Sequence, residues 1–95
     1  MAVIQMTPEL LNEKAKELRG LRQEHDEAMK KMGTLIHGLD AIWKGESQTA
    51  YINKYDSMQG TFTSFSEMIE QYAAMMDLAA RQMQEKDAEI GRSIG

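Results

Sequence analysis

The sequence contains no cysteine, so neither a disulfide nor a thiolate-held metal can staple the fold, and stability has to come from packing. Nowhere do 18 apolar residues run together, the length that would mark a transmembrane helix. The apolar start, Met1 to Met6 with Gln5 inside it, lacks a basic region and is too short for a signal-peptide core. The expectation is a chain with no stable membrane insertion and no general secretory signal, so that any export takes a dedicated route. Basic charge is also scarce: 11 Lys and Arg stand against 15 Asp and Glu, for a net charge of −4, and no basic cluster exceeds Lys30-Lys31. That gives a phosphate backbone nothing to lie along, so nucleic acid is not an expected partner. No helix carries the Lys/Arg-rich polar face of a surface-binding amphipathic segment, which argues against membrane lysis.

Catalytic and metal signals are missing as well. His25 and His37 stand twelve residues apart, on neither the i,i+3 nor the i,i+4 spacing that brings two ligands to one helix face. His25 is expected as a partly buried, hydrogen-bonded spacer and His37 on the wetter side near Asp40. Carboxylates are spread among lysines, and no serine or threonine sits in a nucleophile elbow or a glycine-rich phosphate loop. The sequence implies no enzyme and no cofactor.

What is present is helical periodicity. The only proline, Pro8, follows Thr7 and precedes Glu9. Thr7 suits an N-cap, Pro8 the first helical position where its missing N–H costs nothing, and Glu9 the positive end of the dipole. Beyond it, period-seven columns hold Leu11, Leu18, His25, Met32 and Leu39; Leu21, Ala28, Leu35 and Ile42; and Ala15, Met29, Ile36 and Trp43. Arg22 and Lys14 interrupt the side columns near the start. Asp26 to Lys30 and Glu27 to Lys31 are i,i+4 pairs suited to the outer surface. A second pattern runs Tyr51, Met58, Phe65, Tyr72, Ala79 and Tyr55, Phe62, Ile69, Met76, Met83, Ile90.

Between the two patterns, Trp43-Lys44-Gly45-Glu46-Ser47 reads as a tight turn, with Gly45 closing one helix in the left-handed conformation and Ser47 capping the next. The reading is a single all-α domain: an antiparallel hairpin with helices over about 8–43 and 48–90, a turn over 43–47, and a flexible tail over 91–95. Gly20 and Gly60 interrupt the patterns and suggest local kinks. Gly33 and Gly38 suit close approach of another helix or an open surface position equally. Nine methionines are read mainly as core filling, although Met68, Met75, Met76 and Met83 suit an adaptable binding surface.

Ninety-five residues bury only about 60 to 65% of the surface an unfolded chain exposes, and one facing helix cannot cover three columns. Leu18, Met32, Leu35, Leu39, Tyr55, Phe62, Phe65 and Ile69 are therefore expected in a seam shared between the hairpin and a second copy, giving a homodimeric four-helix bundle with coiled-coil packing.

Trp43-Lys44-Gly45 at mid-chain, with a cysteine-free helix of period-seven apolar residues on each side, Ser47 two residues on and then Tyr51, resembles the WXG family of small, early-secreted-antigen-like substrates of type VII secretion. The opening Met1-Ala2-Val3-Ile4-Gln5-Met6-Thr7-Pro8-Glu9 is similar to the Gram-positive Firmicutes branch, so the resemblance covers essentially the whole chain. It implies a hairpin that forms a homodimer, or a heterodimer with a related member, and is exported without a cleaved leader by a membrane-bound FtsK/SpoIIIE-like secretion ATPase. Virulence is an expectation on the same footing, and whether export serves it or competition between bacteria is open at this point. The family's tail signal sets an aromatic or histidine four residues before an acid, with an apolar residue three further on. Asp87 and Ile90 fill the second and third places, but Met83 holds the first; a register on Tyr72 meets Met76 where the acid should stand. Trp43 is expected to cover the turn, to dock on the ATPase, or both. Two functions remain open at this point: a secreted substrate and co-component acting through protein contacts, and a cytoplasmic adaptor or chaperone-like hairpin paired with another helical protein.

Overall fold

The computed structural model describes the backbone of residues 6–94 and side chains as far as Lys86. It is an antiparallel helical hairpin, with no strand among the described residues. Helix α1 spans Pro8–Gly38, a single 3₁₀ turn covers Leu39–Ala41, α2 spans Glu46–Ser57 and α3 spans Gln59–Ile94. Thr7 caps α1 through its hydroxyl, which accepts from the Leu10 N–H at 3.1 Å, and Pro8 sits at the first position. α1 passes through Gly20 without a break.

Three local details differ from the sequence reading. The α-helical ladder of α1 stops at Gly38, five residues before Trp43, because the last turn tightens to 3₁₀ geometry. The next helix begins at Glu46, capped by Gly45 rather than by Ser47, which lies exposed within the first turn. In the second half the ladder breaks at Met58, two residues before Gly60, while the backbone stays helical past Ile90 to Ile94.

α1 lies along α3 for most of its length. The sealed centre of that contact is made of small side chains: Ala15 on α1, and Ser66, Ala73 and Ala80 at period seven on α3. Small residues let the backbones approach, and the bulkier Leu11, Leu18 and Met29 on α1 and Phe62, Ile69, Met76 and Met83 on α3 lie half-buried along the same contact, as do Ile36 and Leu39 nearer the tip. Among the described residues Tyr55 is the one large apolar side chain buried, and no large side chain is sealed completely.

The result is a rod of 75 × 25 × 21 Å with a radius of gyration of 21.7 Å, where a compact chain of this length would give about 12 Å. It exposes 7582 Å², against about 5,500 Å² for a compact monomer of this mass. That excess is the fold's dominant physical feature.

Candidate docking surface

The two edges of the α1–α3 contact are chemically opposite. On α1, the central column of Ala15, Arg22, Met29 and Ile36 is flanked on one side by Arg19, Asp26 and Gly33, and on the other by Leu18, His25, Met32 and Leu39. On α3, Ser66, Ala73 and Ala80 are flanked by Glu70 and Asp77 on one side, and by Phe62, Ile69 and Met76 on the other. Contacts fix how these edges meet.

Arg19 clasps the polar edge, its guanidinium donating to Glu70 at 3.1 to 3.3 Å and to Asp77 at 2.6 Å. Arg22, which interrupts an apolar column in the sequence, reaches the buried Ser66 hydroxyl at 2.9 Å. These hydrogen bonds from Arg19 hold the Glu70 carboxyl below the ordinary glutamate range and raise the Arg19 guanidinium further above its own. Asp26 is also held low, by the Ser66 hydroxyl first and the His25 ring second. Asp26 approaches His25 at 3.2 Å and Arg22 at 4.0 Å, not the expected Lys30.

On the apolar edge His25 is half-buried, its ring 5.1 Å from that of Phe65. Beyond that pair both helices leave large side chains uncovered: Leu21, Leu35 and Ile42 on α1 and the turn after it, and Phe65, Met68, Tyr72, Met75 and Leu78 on α3. Leu35 is 73% and Ile42 83% exposed. Between Ser57 and Gln84 the only charged residues are Glu67, Glu70, Asp77 and Arg81, all in two neighbouring columns. The rest of that helix surface carries no charge to oppose desolvation.

Of the seam residues read from sequence, Tyr55 is buried within the hairpin and Leu18, Leu39, Phe62 and Ile69 are half-buried. Met32, Leu35 and Phe65 are exposed on the uncovered flank.

The flank runs into the tip. The Leu39 carbonyl accepts from the N–H groups of Ile42 at 3.1 Å and Trp43 at 2.8 Å, which turns the chain. Gly45 then takes φ 132°, a conformation that other residues rarely adopt, and its carbonyl accepts from the Thr49 N–H at 3.2 Å. Trp43 covers the turn only in part. Its ring lies 5.3 Å from Tyr51 and stays 37% exposed, with Tyr51 open beside it. Gln48, buried, donates to Asp40 at 2.9 Å, and Lys44 pairs with the same carboxylate at 3.5 Å. His37 lies on the exposed side, as expected, and its ring bonds Asp56 at 2.8 Å. Gly33 meets a neighbour: a Cβ there would stand 2.7 Å from the Tyr55 hydroxyl, which donates to the Met29 carbonyl at 2.6 Å.

The candidate tail residues Asp87 and Ile90 fall on the helical backbone of α3, but their side chains lie outside the described residues. No group of three or more potential metal ligands occurs among the described residues.

The family profile described as "Proteins of 100 residues with WXG" matches residues 3–88, a span that includes the Trp43-Lys44-Gly45 turn and most of both helical arms. The chain belongs to the WXG100 family. An uncharacterised protein of Clostridium acetobutylicum is 28% identical over 95 residues, covering 100% of this chain and 99% of its own. Protein YukE of Bacillus subtilis is 25% identical over 92 residues, 97% of this chain and 95% of YukE. Two solved structures share the fold. EsxA of Geobacillus thermodenitrificans matches with a TM-score of 0.81 at 23% identity, over 95% of this chain and 97% of EsxA. EsxB of Bacillus anthracis, described as a secreted protein, matches with a TM-score of 0.81 at 20% identity, over 92% of this chain and 99% of EsxB. The WXG100 turn in this chain thus presents Trp43 at the end of an apolar flank, and Gly45 supplies the backbone that turns into α2.

Proposed function

We propose that this WXG100 chain is a substrate and co-component of a type VII secretion system, exported by that system and acting through protein contacts. The observation that carries the reading is the family match over residues 3–88, on a molecule whose large exposed features are apolar contact surfaces. EsxB, a secreted protein of the same fold, supports export. The working form is a homodimer in which the flanks of Leu21, Leu35, Ile42, Phe65 and Tyr72 from two copies close a four-helix bundle. An FtsK/SpoIIIE-like ATPase then engages the exposed Trp43 together with the tail around Asp87 and Ile90.

The test is export into the culture medium from a strain with an active system. Trp43→Ala is expected to abolish export while the purified protein still dimerises, and deletion of residues 87–95 to do the same. Normal export of both variants would refute the docking assignment. Retention of the unaltered protein in the cytoplasm, paired with a different helical protein, would establish the adaptor reading instead.

A further inference from the structure

α2 is attached to the molecule quite differently from α3. The helical ladder is interrupted at Met58, which sits at φ −91° and ψ −1° and donates to the Tyr55 carbonyl, three residues back, at 3.0 Å. Beside it the Ser57 hydroxyl donates to the Lys54 carbonyl at 2.7 Å, occupying an acceptor in the last turn of α2. The α3 ladder then restarts, with the Phe62 N–H on the Met58 carbonyl at 3.0 Å. At its other end α2 is joined to α1 through Gly45, whose φ of 132° marks a second compliant joint.

Between these joints, α2 is tied to α1 and to the 3₁₀ turn after it at single points. Tyr55 is the only apolar side chain of α2 that is buried; it sits over Gly33 and donates to Met29. Asp56 meets His37 at 2.8 Å and Gln48 meets Asp40 at 2.9 Å. The stretch of α1 beneath contains Gly33 and Gly38, which offer no side chain to pack. α3, in contrast, is held by a sealed column of small residues and by the Arg19 clasp. An element with little buried apolar surface and a few polar ties opens at lower free energy than its surroundings.

We propose that α2 is a strap that opens locally between Gly45 and Met58, pinned shut by Tyr55 in the Gly33 notch. Opening lifts Tyr55 from Met29 and from the Phe62 ring 5.6 Å away, and parts Tyr51 from Trp43, while the Arg19 clasp and the column of small residues between α1 and α3 stay intact. The device is independent of whether the chain is exported and of what covers its apolar flank.

Hydrogen exchange of the full-length protein, read by mass spectrometry at neutral pH, tests it. Amides of Tyr51–Ser57 should exchange together and at least about tenfold faster than those of Ile69–Ala80, as a locally opening unit does. Tyr55→Phe keeps the ring but loses the bond to Met29; it should raise α2 exchange a further fivefold or so, the equivalent of one ordinary hydrogen bond, and leave Ile69–Ala80 unchanged. Gly60→Ala, which stiffens the break and meets no neighbour within 4 Å, should slow α2 exchange. Equal rates in the two segments would overturn the proposal, and so would a fast α2 that does not respond to Tyr55→Phe.

Discussion

Gly33 and Tyr55 show how one glycine sets a contact between elements. A Cβ at residue 33 would meet the Tyr55 hydroxyl at 2.7 Å and its ring at 3.2 Å, inside van der Waals distance, so the ring has to shift and its bond to the Met29 carbonyl is strained. Gly33→Ala is expected to destabilise the hairpin by about 1 to 3 kcal/mol despite the better helix propensity of alanine, a loss a thermal melt would detect. A gain in stability would mean that Tyr55 relaxes without cost. Gly20 is the contrasting case, because a Cβ added there would meet nothing within 4 Å, and Gly20→Ala should stabilise the protein by roughly 0.5 to 1 kcal/mol. The sequence put both glycines inside helical patterns but could not tell them apart, because what separates them is a side chain 22 residues further along.

At the scale of elements, period-seven spacing made the hairpin and its turn legible, since a helix must gather its apolar residues into a stripe whatever they face. The contact centre was harder to see. Ser66, Ala73 and Ala80 recur every seven residues, yet small residues carry little hydrophobic signal and the eye follows Phe62 and Ile69 beside them. The clasp of Arg19 on Glu70 and Asp77 was invisible because it depends on the register between helices, which no local pattern states. That clasp has a pH signature. Glu70 titrates below its unfolded value, so its contribution to stability is complete above the ordinary glutamate range of about pH 4 to 5 and is lost as pH falls through its lower folded value. Asp26 acts with the same sign. Melting temperature should therefore drop on acidification below about pH 5, and Glu70→Gln should flatten part of that slope. An unchanged slope would show that the clasp is not coupled to folding.

The whole molecule is defined by the surface it leaves open. A rod exposing about 2,000 Å² more than a compact monomer, with one charged edge and one uncharged apolar edge, leaves a broad apolar surface open on the single hairpin, the surface that the proposed dimer covers. The sequence anticipated this from stripe width, because three columns exceed what one helix covers. It could not assign Leu35 and Phe65 to the outside and Leu18 and Ile69 to the hairpin, since which column faces inward depends on where the small residues sit. Leu35→Glu separates association from folding: the residue is already 73% exposed in the single chain, so the hairpin should keep its helicity while the charge opposes burial by a partner. Unaltered self-association of that variant would remove Leu35 from the interface.

Light scattering of the purified chain across a range of concentrations tests the central claim most directly. Coverage of the apolar flank by a second copy requires a mass of about twice 10.8 kDa that persists on dilution into the micromolar range. A well-folded monomer of 10.8 kDa at high concentration would contradict it.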